Sequence, residues 1–292
     1  MAITNFIPSV WSEELYKALE RQHIAAAHCN RSYEGDIRQK GNSVKICGIA
    51  NISVSDYEKN VNMNDPQALN DSVRELVIDQ AKYFNFQIDD VDHTQANPGL
   101  MDLAIKRAAH ALANEADKHI FKLYQDAGIF HNLITEDGAE IFQSILKLKT
   151  RMMEKEVMDP SDIVIEVSPA IAQLLLQTKS EMVTDNSEQI EKGCIGSIYG
   201  SKVYISNNIA QERTGVGNLA YHCLLRTKRA IAYAEQLSEI EAYRPELRFA
   251  DAVKGLLLYG AKVVYPFELV DMKIELGSPS DYDGYEEPVP EE

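Results

Sequence analysis

The chain has 292 residues, 45% hydrophobic and 25% charged, the mix of an ordinary folded chain with material for one large domain or two modest ones. With 29 Lys+Arg against 45 Asp+Glu, its formal charge is -16. That excludes a nucleic-acid reader, which gains affinity by neutralising phosphates, and equally a polybasic membrane-surface binder. Residues 1–40 read as an arm. Ser12 can cap a helix in which Leu15, Ala18, Leu19 and Ile24 recur at a rough three-to-four spacing, with Trp11, the only tryptophan, just before it. Such a helix is too short and too thinly apolar to stand alone in water, so it must pack on this chain's body or on a neighbour's. The opening MAITNFIPSVWSEEL lacks the basic start and apolar core of a signal peptide, and no run of about 18 apolar residues occurs to span a membrane. A soluble intracellular product is expected.

From residue 41 to 95 the pattern changes to strands. Val44 and Ile46 alternate with Ser43 and Lys45, and Ile52 and Val54 with Ser53 and Ser55. After the polar stretch NVNMNDPQALND come SVRELVID and KYFNFQID, joined through Gln80 and Ala81. In the second, Phe84, Phe86 and Ile88 share one face while Asn85 and Gln87 point the other way. The expectation is a long, hairpin-rich excursion whose thin apolar face is hard to bury within one chain. Long exposed strands are normally avoided as pairing hazards, but a protein meant to assemble can use them.

Residues 98–127 predict a spine helix of about 30 residues, roughly 45 Å long. Asn97 is a good cap, Pro98 suits the first helical position, and Asp102 lies near the positive end of the dipole. Met101, Ile105, Ala108, Leu112, Ala116, Ile120 and Leu123 mark one continuous stripe, and Gly128 supplies the stop. Beyond it a helix is expected over 139–153, then a Pro160–Ser161 turn, the strand DIVIEV, and the helix AIAQLLLQT capped by Ser168 and Pro169. KVYIS follows a glycine-rich turn, and YHCLLRT, RAIAYAEQ and GLLLYGAKVVYPFELVDMKIEL are further strand segments. Helices and strands interleave without regular βαβ repeats, which predicts an α+β class. The end, GSPSDYDGYEEPVPEE, reads as a disordered tail. From Glu275 onward it carries seven acids and no base, -7 of the -16.

Motifs for chemistry are few. Cys29, Cys47, Cys194 and Cys223 form no CxxC pair, which points to a reducing compartment rather than a disulfide framework or a zinc ribbon. His23, His28 and Cys29 would need a second ligand pair to hold zinc, so scattered thiols and surface imidazoles are the favoured reading. Gly193, Gly196 and Gly200 spell GxxGxxxG, without the GxGxxG or GK[ST] of a phosphate loop, after polar sequence and before a strand. Tight turns explain them. Asp89, Asp90, Asp92 and His93 lack the interior glycine and distal Glu of a calcium loop, which leaves a solvated strand end. No GxSxG or HExxH appears. No enzyme, catalytic residue, metal or cofactor is therefore expected.

The order of parts carries a resemblance. ITNFIPSVWSEELYKAL, ELVIDQAKYFNFQIDDVD, PGLMDLAIKRAAHALANEADKHI, IGSIYGSKVYIS and GLLLYGAKVVYP look like the corresponding stretches of the major capsid (coat) protein family of tailed bacteriophages. That family has the Hong Kong-phage shell fold, shared with encapsulins and the herpesvirus capsid floor. The similarity runs from about Ile3 to Ile274. It implies an N-terminal arm over 1–40, an extended loop with flanking strands over 41–95, and a spine-helix peripheral domain over 96–129 with the late strands. It further implies an axial domain over 130–250, returning strands over 251–274 and an acidic tail over 275–292. Trp11, Leu15, Leu19, Val44, Ile46, Phe84, Phe86 and Ile88 would be intersubunit contacts, because arm and hairpins would bury their apolar faces between chains.

The function so implied is a structural shell subunit that self-assembles by hexamers and pentamers around DNA, with no sequence-specific binding. Scaffolding and portal proteins would be its other partners, and because the chain opens on the arm itself, the analogy implies either a separate scaffolding protein or the removal of a prior segment. It would reside in the virion, after synthesis in the bacterial host cytoplasm. An encapsulin-type compartment is the runner-up, distinguished by a cargo enzyme rather than terminase and portal genes nearby. An enzyme would need a pocket that the sequence does not display.

Overall fold

The computed structural model describes residues 15, 19, 23–33, 43–49, 59, 71–89, 100–155, 162–178, 193–214, 218–246 and 250–277. In chain order the elements are β1 (Ser43–Ile49), β2 (Asp71–Val77), β3 (Gln80–Asp89), α1 (Leu100–Phe121), β4 (Ile129–Ile134), α2 (Gly138–Met153), β5 (Val164–Val167) and α3 (Pro169–Thr178). Then follow β6 (Cys194–Ile198), β7 (Ser201–Ile205), β8 (Gln211–Arg213), β9 (Leu219–Arg226), β10 (Ile231–Tyr243), β11 (Ala250–Val263) and β12 (Leu269–Glu275). The class is α+β, as the sequence predicts.

A seven-stranded sheet forms the body, in the order β4-β12-β9-β5-β7-β6 with β8 paired to β9. Helices α2 and α3 cover one face. Ile141, Ile145, Leu148 and Met152 from α2, with Ile171 and Leu175 from α3, pack on Ile165, Val167, Val203, Leu225, Val270, Met272 and Ile274 of the strands. Each fully buried aliphatic side chain contributes about 1.5–3 kcal/mol, so this cluster is one of the two main stabilising layers. Asp137 starts α2 by accepting from the Ala139 amide at 2.8 Å. The Ser168 hydroxyl accepts from the Ile171 amide at 3.4 Å, so the cap expected for α3 is present.

The glycines between 193 and 200 turn a hairpin. β6 and β7 are antiparallel, with a register shift between Cys194 and Gly196 and a tip at Tyr199–Gly200. Gly193, Gly196 and Gly200 all have positive φ, the backbone region that glycine enters without steric penalty. A phosphate loop would open a helix, and here a strand follows.

The second sheet has three strands, β10-β11-β3, with α1 across one face. Leu112, Ala113, Ala116, Ile120 and Phe121 of α1 meet Tyr233, Leu257 and Tyr259 of the sheet. The many alanines on the stripe let helix and sheet approach closely. The α-helix ends at Phe121 and tightens into a 3-10 turn over Lys122–Asp126, so the α-helical part is shorter than 98–127. Gly128 is not a helix cap. A Cβ there would lie 2.6 Å from the Pro266 carbonyl carbon, and its amide donates to the Pro266 oxygen at 2.8 Å. Its role is close approach between chain segments. Asn97 and Pro98 lie outside the described residues.

Two groupings differ from the sequence expectation. β10 pairs with β11 along its length and belongs with the spine helix, while β12 enters the body sheet between β4 and β9. A boundary at residue 250 would therefore cut through one sheet, because the chain crosses between sheets at residues 227–230 and again at 264–268. The second difference concerns β2 and β3, which do not form a hairpin. β1 pairs with β2 in a separate ribbon, from Ser43↔Val77 to Ile49↔Asp71, and β3 pairs with β11. Only Ile78 and Asp79 separate β2 from β3, with no Gly or Asn to reverse the chain, so it runs on from ribbon to sheet.

The ribbon root lies on the face of β10 and β11 opposite α1. Ile46, Leu76 and Ile78 pack against Ala232, Ala234 and Leu258. Gly260 permits the crossing, since a Cβ there would sit 2.2 Å from the Val77 carbonyl oxygen. Arg74 ties the ribbon down by donating to the Val263 carbonyl at 2.9 Å.

Candidate assembly surfaces

Residues 23–31 are the described root of the arm, and buried polar groups hold them. His23 is enclosed, with no exposed side-chain area, between two carboxylates. Its Nε2 lies 3.1 Å from Glu235 Oε2 and its Nδ1 3.7 Å from Asp117 Oδ1. Asp117, on α1, also accepts the amides of Ile24 at 3.0 Å and Ala26 at 3.1 Å. Glu235, on β10, accepts from Arg31 at 2.5 Å and from the Tyr233 hydroxyl at 2.8 Å. Burial pushes the His23 pKa down, but hydrogen bonds to Asp117 and Glu235 outweigh it and raise the value to about 9. Burial would raise Glu235, and His23 and Arg31 outweigh it, holding that carboxyl below the usual range. Two cations thus face two anions.

A second buried cluster fastens the same segment to the body sheet. Arg226, fully buried on β9, donates to both oxygens of Glu166 on β5 at 2.8 Å. It also donates to the carbonyls of Ala25 at 2.8 Å and His28 at 2.7 Å, and to Cys29 Sγ at 3.3 Å. The fork geometry of a guanidinium makes this many-sided contact possible. Burial pushes the Cys29 thiol up to about 11, although Arg226 opposes it, so the thiol is unreactive near neutrality. His28 lies against Tyr204, ring centroids 4.1 Å apart and the planes tilted by 47°. His23 is thus a buried part of the anchor and His28 a half-buried one, rather than surface groups. Among the described residues no His, Cys, Asp or Glu cluster is set to hold a metal, and no helix is long and apolar enough to cross a membrane. Asp90, Asp92 and His93 lie outside the described residues.

Of the eight residues expected at contacts between chains, three are spent inside this one. Leu15 packs with Ile105, Ala108 and Ala109, Leu19 with Leu112 and Ile120, and Ile46 with Leu76 and Leu258. All three are buried within this chain. The reason is that α1 and the β10–β11 sheet offer apolar partners within reach of the same chain. Val44, Phe84 and Phe86 are half-buried and pack on the same clusters. Gly255 makes room for Phe84, whose ring edge lies 2.5 Å from where a Cβ would be. Trp11 and the side chain of Ile88 lie outside the described residues.

The exposed apolar surface is instead on residues that sequence reasoning passed over. Tyr83 is 78% exposed on the outer face of β3, Tyr199 67% at the β6–β7 tip, and Phe267 61% and Phe130 55% beside and on β4. For Tyr83 the signal was the strand alternation, since it stands on the face opposite Phe84 and Phe86; Tyr199 in its turn and Phe267 in its 3-10 segment had none.

No family model and no curated protein matches the sequence. Solved structures do. One from Mycobacterium phage Che8 is 28% identical, with 86% of this chain and 91% of that chain covered and a TM-score of 0.66. The capsid of Ralstonia phage GP4 is 12% identical, with 86% and 87% covered and a TM-score of 0.64. A virus-like particle from Pyrococcus furiosus is 10% identical, with 91% and 99% covered and a TM-score of 0.57. With its rooted arm, its ribbon, its spine-helix sheet and its helix-covered body sheet, the chain has the Hong Kong-phage shell fold of tailed-phage major capsid proteins.

Proposed function

We propose that this chain is the subunit of an icosahedral phage head that assembles by hexamers and pentamers and encloses DNA without reading its sequence. The observation that carries the reading is the likeness to phage structures over 86% of the chain, at 28% identity in one case. The two limbs support it: a ribbon whose described strands pair only with each other, and an arm root fixed by buried charge. The role is structural rather than enzymatic, and the place is the virion, after synthesis in the host cytoplasm. Trp11 and Ile88, with the open parts of Val44, Phe84 and Phe86, are contacts to neighbouring subunits. Scaffolding and portal proteins are the further partners. The net charge of -16 suits an acidic lining that repels packaged DNA and leaves it mobile. Purified protein, alone or with its scaffold, is expected to form closed particles under an electron microscope, and a compact monomer under all conditions would overturn the proposal. A compartment shell is the second reading, favoured by the likeness to the Pyrococcus furiosus particle, whose TM-score of 0.57 is below the 0.66 of the phage Che8 structure. A cargo enzyme inside purified particles in place of DNA would decide for it.

A further inference from the structure

The β6–β7 hairpin turns through Tyr199 at φ 48° and Gly200 at φ 79°. Two positive φ values in a two-residue loop are the signature of a type I′ turn, whose first position normally carries Asn, Asp or Gly. Among the described residues Tyr199 is the only non-glycine with positive φ. An aromatic side chain in left-handed backbone is a local conflict, and such conflicts persist where something beyond the turn needs the side chain. The turn itself does not need it. The ring is 67% exposed and lies 4.9 Å from the Lys149 ammonium, which also donates to the Tyr199 carbonyl and would do so whatever the side chain. Buried Lys149 thus holds the turn, and Tyr199 stands there as a knob with most of its surface open.

The knob stands at one edge of the seven-stranded sheet, since β6 is terminal there; the other terminal strand is β4. That second edge exposes Phe130, and exposed Glu136 and Asp137 follow it in the loop to α2. Exposed Lys202 flanks the knob on β7. One edge therefore carries an aromatic beside a cation, and the other an aromatic followed by anions. A closed ring of identical subunits requires two different, mutually complementary patches on each copy, because a self-complementary patch yields only a pair.

Resting on the shell reading above, we infer that Tyr199 of one copy seats on the β4 edge of the next copy, against Phe130, with Lys202 facing Glu136 and Asp137. The partner is a second copy of this chain, and the contact closes hexamers and pentamers around the body sheets. Three variants of the full chain test this, with wild type beside them. Tyr199→Asn suits the turn and removes the ring, so the unassembled subunit is expected to melt at the same temperature or higher. The concentration needed for assembly is expected to rise about tenfold, the scale of a lost interface tyrosine. Tyr199→Phe is expected to assemble like wild type. A chain with both Tyr199→Cys and Phe130→Cys, oxidised as particles, is expected to give a non-reducing ladder of linked subunits that each single variant lacks. If wild type forms particles and Tyr199→Asn does so equally well, or if the double variant gives no ladder, this inference falls and the shell reading stands. If wild type forms no particles at all, both fall.

Discussion

The arm anchor should make stability depend on pH in one direction. His23 has a folded-state pKa of about 9 against 6.5 unperturbed, a difference of two and a half units. A raised value means that folding favours the protonated form. The stabilisation is therefore complete below about 6.5 and is lost as pH rises through about 9. At about 1.4 kcal/mol per unit, the loss over that window is about 3 kcal/mol. Geometry supports a value of that size, because deprotonated His23 leaves Glu235 and Asp117 buried beside a neutral ring. His23→Gln keeps a donor for Glu235 but cannot titrate. Urea unfolding of the unassembled subunit, followed by circular dichroism from pH 6 to pH 10, reads the effect. With a denaturant slope of about 3 kcal/mol per molar, wild type should lose roughly 1 M of midpoint relative to His23→Gln across the window. Lysines and tyrosines that titrate at high pH act on both proteins and cancel in the difference. Parallel curves, or a wild type that gains stability between pH 6.5 and 9, would refute the anchor as described. On the acid side the sign reverses. Glu235 and Glu166 are held below the usual carboxylate range, so their contribution is present at neutral pH and fades as pH falls through those depressed values.

Arg226→Met strands the Glu166 carboxylate and the carbonyls of Ala25 and His28, and should cost about 3–5 kcal/mol in the same urea assay. Arg226→Lys keeps the charge without the fork and should recover only part of that. Gly260→Ala puts a methyl group 2.2 Å from the Val77 oxygen, and should cost about 1–3 kcal/mol while raising hydrogen exchange in β2 more than in β9. Replacing residues 50–70 with a short turn should leave the melting temperature of the subunit within a few degrees of wild type and abolish particles in electron micrographs. Removal of all of 42–92 should instead unfold the second sheet, because β3 and the buried Ile46, Leu76 and Ile78 go with it.

What the sequence made legible was whatever repeats locally. The alanine-rich stripe of α1, the α2 helix itself and the capped start of α3 follow from short-range spacing, and the structure has them. Pairing was less legible. That β2 leaves β3 for β1, and that β12 inserts between β4 and β9, depends on partners far away in sequence. The anchor was the least visible part. His23 meets Glu235 across 212 positions and Arg226 meets Glu166 across 60, and nothing in either residue's neighbours marks it as a buried ion.

The same logic applies to the apolar residues of arm and ribbon. Apolar alternation identifies the face of a strand or helix that leaves water, but not whose surface takes it. A chain's own elements are always at high effective concentration, so they claim the strongest apolar faces first: Leu15 and Leu19 go to α1, and Ile46 goes to β11. The opposite face, the sheet edges and the turn tips stay open, and there Tyr83, Phe130 and Tyr199 stand singly among polar residues with no apolar stripe to mark them. Buried charge then does what those apolar faces alone could not. Ion pairs inside a protein add little net stability over an apolar filling, but hydrogen bonds such as those of Arg226 to Glu166 and His23 to Glu235 are directional. Fixing the arm root with His23 and Arg226, and the ribbon root with Arg74 and the close crossing at Gly260, sets the direction in which each limb leaves the body. For a subunit that must meet copies of itself at defined angles, that direction matters more than a further increment of subunit stability.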